Sequence, residues 1–176
     1  MNTELHTARL VLRTYTSADI PELLPLIGAR EIAATTLRIP HPYSQADAED
    51  QVRRSQESDD SVRLAICLAE GSTLIGGAGL RLELDHHRAE LGYWIGVPYW
   101  GNGYATEAAR AIVKYGFDEM KLHRIYATYY SNNPASGAIL RKLGMKPEGC
   151  LRSHMVKWEE YHDVMVCGML PGELQG

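Results

Sequence analysis

Residues Val97–Thr106 read VPYWGNGYAT and separate a segment that alternates like a strand from one that repeats like a helix. Gly101 and Gly103 permit backbone conformations and close approaches that a Cβ atom would block. The residues after them begin the helix, whose first N–H groups lack partners within the helix and whose dipole is positive at this end. The stretch therefore predicts either a phosphate-binding loop or a plain tight turn.

Two familiar phosphate-binding motifs do not fit this stretch. A P-loop requires GxxxxGK[ST], and no Lys-Ser or Lys-Thr pair follows the glycines. A dinucleotide fingerprint requires a third glycine where Thr106 stands, and the strands before it look like an antiparallel meander. If the loop binds an anion, it belongs to another class of site.

A second helix start follows the next strand along the chain. Asn133 is a good N-cap and Pro134 a good first helical residue, so plain capping would account for both. The two helix starts follow successive strands, which could bring them to one edge of a sheet. A cleft there would suit a long ligand with a diphosphate.

Outward from this region, hydrophobic periodicity predicts an alternation of strands and helices. Capping-box spacing at Thr16/Asp19 and Ser44/Asp47 predicts two helix starts. We expect one domain over residues 1–176, of mixed α/β class, with a central, mostly antiparallel, twisted sheet and helices on both faces. The predicted strands are Leu10–Arg13, Val62–Leu68, Leu74–Leu84, Arg88–Ile95, Arg124–Tyr130, Cys150–Lys157 and Asp163–Leu170. The predicted helices include Gln45–Ser55, Ala105–Phe117 and Pro134–Leu143.

The composition narrows the class of protein. The 176 residues are 45% apolar and 23% charged with a formal net charge of −4, which argues against a nucleic-acid-binding surface. The chain shows no signal-peptide pattern and no long apolar run, so we expect a cytoplasmic protein without a membrane span. The cysteine and histidine spacings match no metal motif, and Cys67 and Cys167 fit buried core positions.

Several segments together resemble the GNAT acetyltransferases. The resemblance rests on AELGYWI at 89–95, WGNGYATEA at 100–108, NPAS at 133–136 and LGM at 143–145. LHTARLVLR at 5–13 and EGCLR at 148–152 are similar to the branch that acetylates the N-termini of ribosomal proteins. Trp100 stands where that family usually has Arg or Gln.

The resemblance implies acetyl-CoA as cosubstrate, with no metal, and assigns residues to it. The cofactor's diphosphate would lie against Gly101, Asn102, Gly103, Tyr104, Ala105 and Thr106. The backbone of Ile95, Gly96 and Val97 would pair with pantetheine, and Asn133 would contact the cofactor arm.

The same resemblance implies the catalytic and acceptor-binding residues. Glu90 would be the general base and Ser136 the acid that protonates the leaving thiolate, with Tyr129 and Tyr130 as alternative acids. The segment with Trp158, His162 and Asp163 would contact the acceptor. An α-amino group has an ordinary pKa near 8, so only weak help is needed to deprotonate it.

The implied activity is acetyl transfer to a primary amine, either a protein N-terminus or a small molecule such as a polyamine or an aminoglycoside. The alternative from another class is a non-catalytic domain that binds or senses acyl-CoA. The protein would be a monomer or a homodimer and would bind neither nucleic acid nor membrane.

Overall fold

A computed structural model describes residues 3–176 and contains one eight-stranded sheet. Its order is β1-β2-β3-β4-β5-β6-β8-β7, and every neighbouring pair is antiparallel except β5 and β6. The predicted mixed α/β class with a mostly antiparallel sheet is confirmed. The strands are β1 Glu4–His6, β2 Leu10–Thr14, β3 Ser61–Leu68, β4 Leu74–Glu83, β5 Arg88–Ile95, β6 Arg124–Tyr130, β7 Lys146–Lys157 and β8 Glu160–Met169.

The described residues form five α-helices. These are α1 Ile20–Ile27, α2 Arg30–Thr35, α3 Gln45–Glu57, α4 Tyr104–Asp118 and α5 Pro134–Leu143. Sequence periodicity missed α2, which has only six residues and no side-chain cap. It also missed β1, whose three residues are too few to show an alternation. The hairpin β7–β8 is longer than predicted because β7 is mostly exposed, so pairing rather than apolar alternation defines its length.

Helices cover both faces of the sheet. Alternate residues of a strand point to opposite faces, and β3 shows this directly. Leu64 and Ile66 join the core cluster under α4 and α5, whereas Ala65 and Cys67 join the cluster under α1, α2 and α3. Cys67 is thus buried as expected, as is Cys167, whereas Cys150 is exposed.

The helix α4 lies close against the sheet because its buried face is built from small residues. Ala108 and Ala109 are fully buried, and a Cβ at Gly116 would approach the Ile125 side chain at 2.8 Å. This close packing fixes the position of the α4 N-terminus relative to the end of β5. Over residues 3–176, no helix has the length and apolar character needed to cross a membrane.

The link from β2 into α1 is held by a buried carboxylate. Asp19 accepts hydrogen bonds from both terminal nitrogens of Arg13, at 2.8 and 2.7 Å, and from the backbone N–H of Thr16. Burial raises the pKa of Asp19, but the hydrogen bonds from Arg13 and Thr16 outweigh it and hold the pKa below its ordinary value. This group therefore stabilises the fold above its unfolded-state pKa, and the stabilisation is lost as pH falls through the lower folded-state value.

We expect Asp19→Asn to lower the free energy of unfolding by about 2 kcal/mol at pH 7, because charge-assisted hydrogen bonds are lost. The difference from the wild type should shrink as the pH falls below 4. Urea unfolding, followed by tryptophan fluorescence at several pH values, measures the difference in unfolding free energy and its dependence on pH. Asp118→Asn, which removes an exposed pair with Lys114, is the control and should change stability by less than about 0.5 kcal/mol. A deficit in Asp19→Asn that is equal at pH 7 and pH 3.5 would contradict this account.

Candidate active site

The two parallel strands of the sheet, β5 and β6, separate half-way along their length. Arg88–Leu91 of β5 pair with Arg124–Ala127 of β6, and no pairing continues beyond Leu91 and Ala127. Strand β5 nevertheless runs on to Ile95, still paired with β4. From Gly92 onward, the edge of β5 that faces β6 therefore has backbone groups without a strand partner. A gap between two strands in the middle of a sheet is a place where an extended ligand could bind.

A cavity of about 570 Å³ lies where β5 and β6 separate, and residues from both faces of the sheet line it. On one face its walls come from α3 and from the loop after α2, and on the other from Ser136 and Leu140 of α5. We call it the through-sheet cavity. Its volume lies in the range of small-molecule sites. A donor approaching from one face and an acceptor from the other could meet inside it.

The start of α4 provides free hydrogen-bond donors beside this gap. Gly101 and Gly103 both have φ of +80°, the left-handed region that favours glycine. Gly103 is the N-cap and supplies no side chain, whereas Ser44 and Asn133 cap α3 and α5 with their own oxygens. Within residues 3–176, the first N–H groups of α4, those of Tyr104, Ala105 and Thr106, therefore have no cap acceptor. This GNG loop (Gly101–Thr106) is suited to an anion such as a diphosphate.

The backbone conformation at residue 103, rather than crowding by its neighbours, explains why this residue is glycine. A Cβ added there would meet its nearest atom, in the Arg9 guanidinium, at 3.5 Å, an ordinary contact. The loop is further held by Asn102, whose side-chain amide donates to the carbonyls of Tyr99 and Trp100 at 3.1 Å. Asn102 thus shapes the loop with its side chain.

Trp100, at the position where the family usually has Arg or Gln, holds the end of β5. Its indole N–H donates to the Ile95 carbonyl at 2.5 Å. The Gly96 N–H donates to Ile75 of β4 at 2.8 Å, whereas the Val97 N–H has no partner among residues 3–176. Val97 therefore keeps a free donor at the end of β5, whereas the Gly96 N–H is engaged with β4.

A charged network ties the chain's N-terminal segment to the first turn of α4. Glu107 accepts hydrogen bonds from Thr7 Oγ1 at 2.7 Å and from the backbone and Nε of Arg9 at 2.9 and 2.8 Å. Arg9 also stacks on the Tyr104 ring at 4.7 Å and donates to the Asn102 carbonyl. Burial raises the pKa of Glu107, but hydrogen bonds from Thr7 and Arg9 outweigh it and lower the pKa. The network fixes the GNG loop.

The outer side of this loop has an excess of positive charge. A second cavity, of about 460 Å³, is lined there by three basic residues and one carboxylate, together with small residues: Arg9, Arg110, Lys142, Glu107, Ala8, Gly103 and Thr106. The helix dipole and these cations act in the same direction and favour a negatively charged ligand. The residues present therefore fit the diphosphate and phosphate groups of coenzyme A.

Both polar side-chain atoms of Asn133, the predicted cofactor contact, already form hydrogen bonds within the protein. Its side-chain oxygen accepts from the Ser136 N–H at 3.2 Å, and its nitrogen donates to the Thr35 carbonyl at 3.1 Å. Asn133 therefore caps α5 and also connects it to Thr35, the last residue of α2, directly before the loop that follows. This loop forms one wall of the through-sheet cavity.

The predicted base Glu90 lies in the through-sheet cavity, with 4% of its side chain exposed. Arg38 donates to both of its oxygens, Arg81 forms a short charged contact with Oε2, and Thr128 donates to Oε1. Burial raises the pKa of this carboxyl, but the hydrogen bonds from Thr128 and Arg81 and the charge of Arg38 outweigh it and hold the pKa below its ordinary value. Glu90 is therefore ionised at neutral pH and only weakly basic.

The predicted acid Ser136 forms a pair with a tyrosine that the sequence analysis did not select. Its hydroxyl lies 2.9 Å from the Tyr93 hydroxyl, and both residues line the through-sheet cavity. Burial raises the pKa of Tyr93 to about 12, although its hydrogen bond with Ser136 acts in the opposite direction. The Tyr93 hydroxyl therefore stays protonated over the range in which enzymes are assayed.

Strand alternation separates these groups by face. Tyr93 packs against the core cluster on the α4–α5 side, whereas Glu90 points to the opposite face with Arg81, its register partner. The hydroxyl pair Tyr93–Ser136 and the carboxylate Glu90 thus approach the gap from opposite sides. Any molecule crossing the gap would pass between a proton donor and a carboxylate.

The predicted acceptor residues on the β7–β8 hairpin lie outside the walls of the through-sheet cavity. Trp158, at the hairpin tip, contacts the Arg30 guanidinium at 4.7 Å. The His162 ring packs on Tyr130 at 5.0 Å, and Asp163 accepts from the Ser153 N–H at 2.7 Å. Their part in acceptor binding stays a prediction.

The hairpin instead supports the cavity wall. Lys157 Nζ donates to the carbonyls of Thr36 and Ile39 at 3.0 and 2.8 Å, and burial lowers its pKa. These bonds hold the loop that carries Arg38. Of the two alternative acids, Tyr129 lines the cavity, whereas Tyr130 does not, and the Tyr130 hydroxyl is buried without a hydrogen-bond partner in the described chain.

Sequence reasoning missed Tyr93, Thr128 and the two arginines that pair with Glu90. Tyr93 stood within the quoted segment at 89–95, but only its contact with Ser136 reveals its place. Arg81 could have been found as a cross-strand partner of Glu90 had the register been known. Arg38 lies in a loop about 50 positions away, and no sequence signal connects it to Glu90.

Comparisons with known proteins agree with this geometry. Residues 9–146 match the family described as "Acetyltransferase (GNAT) domain". The N-acetyltransferase YoaA of Bacillus subtilis, itself uncharacterised, is 33% identical over 154 residues, which cover 86% of this chain and 87% of that protein. The crystal structure of a GNAT-family acetyltransferase from Bacillus anthracis is 26% identical and superposes with a TM-score of 0.86, covering 96% of this chain and 98% of that one.

Two more distant structures share the fold and contain coenzyme A. One is a spermidine N-acetyltransferase from Vibrio cholerae with CoA and spermine, at 23% identity and TM-score 0.84 over 95% of this chain and 98% of that one. The other is RimL, a ribosomal L7/L12 α-N-protein acetyltransferase with CoA, at 19% identity and TM-score 0.86 over 96% and 98%. With the free donors of the GNG loop and the gap between β5 and β6, these matches identify the chain as a member of the GNAT acetyltransferases, an N-acetyltransferase that uses acetyl-CoA.

Proposed function

We propose that the through-sheet cavity is where the acetyl group passes from acetyl-CoA to an amine. The cosubstrate would lie on the α4–α5 side, with its diphosphate on the GNG loop and its arm along the free edge of β5. The amine would enter from the side of α1, α2 and α3. The observation that carries the proposal is the through-sheet cavity, which is lined from both faces of the sheet at the end of the β5–β6 pairing.

Each half of the cavity carries the group that its side of the reaction needs. Acetyl-CoA supplies an activated thioester whose leaving group is a thiolate. Ser136 would donate a proton toward the sulfur, and Tyr93, at 2.9 Å, would hold the serine hydroxyl in place. Glu90 would accept the proton of the amine through water on the opposite face. A domain that only bound acyl-CoA would have no need of these groups, so their placement favours the enzyme over a sensor.

The weak basicity of Glu90 fits an acceptor whose amine is itself weakly basic. An α-amino group, with an ordinary pKa near 8, is partly neutral at physiological pH, whereas a lysine side chain near 10.4 is not. We therefore favour a peptide or amino-acid α-amino group over a lysine side chain or a polyamine. The similarity to RimL, described as an α-N-protein acetyltransferase, agrees with this choice.

Three expectations accompany the proposal and rest on no contact in the structure. The protein would work in the cytoplasm, as a monomer or a homodimer, without binding nucleic acid or membrane. The net charge of −4 is in keeping with the absence of a nucleic-acid partner.

We expect Ser136→Ala to lower kcat about 10²-fold while leaving the Kd for coenzyme A unchanged, because only the protonation of the leaving thiolate is lost. Tyr93→Phe should lower kcat about tenfold, since the serine hydroxyl remains but is no longer held. Release of free CoA at saturating substrates measures kcat, and calorimetry measures the Kd. Tyr129→Phe is the comparison. A large loss in Tyr129→Phe with near-normal Ser136→Ala would transfer the role of acid to Tyr129.

We expect Glu90→Gln to lower kcat/KM for an α-amine by about 10²-fold, and by the same factor at every pH from 6 to 9. The reason is that, against the effect of burial, hydrogen bonds from Thr128 and Arg81 and the charge of Arg38 hold the pKa of Glu90 below its ordinary value, so the carboxylate is ionised throughout this range. The remaining pH dependence should follow the pKa of the acceptor amine. A pH–rate limb between 6 and 7 that is present in the wild type, independent of the acceptor and absent in Glu90→Gln would contradict the lowered pKa.

A further inference from the structure

The acceptor side of the through-sheet cavity has a floor without side chains. Gly79 of β4 lies opposite Gly92 of β5 in the sheet register, and both line the cavity. A Cβ at Gly92 would meet nothing within 4 Å, so the space above it is open. On the other side of Gly79, the register partner is Arg63 of β3. One row across three strands thus reads Gly92, Gly79, Arg63.

The residue that ends this row, Arg63, carries a charge that no carboxylate of the described chain contacts directly. Arg63 is half-buried, lines the cavity, and donates only to neutral groups, Ser61 Oγ and Gln51 Oε1, each at 3.1 Å. No carboxylate lies within 4 Å of its guanidinium anywhere in residues 3–176. Burial and the nearby charge of Arg54 lower its pKa, and together they outweigh the opposing charges of Asp60 and Asp50, neither of which forms an ion pair with it. A partly desolvated cation of this kind is stabilised by an anionic ligand.

The other charges of the cavity do not neutralise Arg63. Glu90 forms ion pairs with the guanidinium groups of Arg38 and Arg81. Asp50 pairs with Arg53 and Arg54 on α3. Asp47 accepts from the backbone N–H and the hydroxyl of Ser44 as part of the α3 cap. The acceptor side therefore presents more arginine than carboxylate charge, which disfavours a polycation.

The dimensions of the row set the distance between the amine of the acceptor, placed in the gap, and a second group of the acceptor that contacts Arg63. Two strand spacings separate Gly92 from Arg63, about 10 Å between backbones. An amine placed at the gap above Gly92 can lie across the two glycines. Its other end then comes within reach of the Arg63 side chain.

We propose that the acceptor is an amine that also bears an acidic group, and that Arg63 binds this group. The inference rests on the function proposed above and specifies its acceptor. The shared chemistry is a carboxylate a few bonds from a primary amine, which occurs in peptide N-termini with an acidic side chain and in free amino acids. Bidentate pairing of guanidinium with carboxylate supplies both affinity and orientation.

Matched acceptors that differ in one charge test this proposal. The peptide pair is Ser-Ala-Asp-Ala-amide and Ser-Ala-Asn-Ala-amide, and the amino-acid pair is glutamate and glutamine, with spermidine as a polycation. With the wild type we expect kcat/KM to be about tenfold higher for the acidic member of at least one pair. The pair that shows the preference identifies the source, peptide or free amino acid.

The variant Arg63→Gln should reduce this preference to near unity without changing the Kd for coenzyme A. Arg53→Gln, on the same side of the protein but outside the cavity walls, is the control and should retain the preference. Equal or reversed rates for the acidic and neutral members in the wild type would overturn the inference, and so would a preference that survives in Arg63→Gln.

A failure of the proposed function can be told apart from a failure of this inference. If no amine in the panel accelerates CoA release, the proposed catalysis is wrong, and the role of Arg63 is then tested by measuring the binding of the reaction products. Calorimetry with the N-acetylated peptide pair in the presence of CoA requires no turnover. Tighter binding of the acidic product, lost in Arg63→Gln, would support the role of Arg63, and equal binding would refute it.

Discussion

The structure depends on one feature of its hydrogen bonding, the short parallel pairing between β5 and β6. Four residue pairs join the strands, and beyond Leu91 and Ala127 they separate while β5 stays paired with β4. Unpaired backbone donors and acceptors inside a protein are costly unless a partner is supplied. A ligand with an extended amide-containing arm, such as pantetheine, can act as that missing strand. We propose that the cosubstrate supplies these missing hydrogen bonds when it binds.

The placement of charge follows from the same gap. On the α4–α5 side, the uncapped start of α4 and the basic residues around it favour phosphate groups. On the opposite side, Glu90 is surrounded by Arg38, Arg81 and Thr128, so its charge is fixed before any substrate arrives. Groups that are already oriented need little rearrangement during the reaction. The same contacts lower the pKa of Glu90 and make it a weaker base. A weak base is sufficient when the acceptor amine itself has a low pKa.

Much of the fold could be predicted because its elements carry local signals. The strand Arg88–Ile95 and the helix Pro134–Leu143 have the predicted bounds, since alternation, capping and a terminal Gly144 all agree. The short helix α2 lacks such signals and was missed. The hairpin β7–β8 was predicted too short because most of β7 is exposed and its length is set by pairing.

The site was predicted only as far as its residues lie in recognisable motifs. The backbone conformation at Gly101 and Gly103 follows from residue type. The partners of Glu90 and Ser136 could not be predicted, because Arg38 and Tyr93 reach them through tertiary packing. Trp158, His162 and Asp163 were selected by resemblance alone, and the structure places them on a hairpin beside the cavity instead of in its walls.

The central claim is that coenzyme A occupies the gap between β5 and β6 with its diphosphate on the GNG loop. A titration of the ¹⁵N-labelled protein with coenzyme A, followed by amide NMR, tests it most directly. The account predicts the largest shift changes at the amides of Tyr104, Ala105, Thr106 and Val97, with smaller ones at Ser136. Changes confined to the β7–β8 hairpin, or a GNG loop whose signals do not move at saturating coenzyme A, would contradict it.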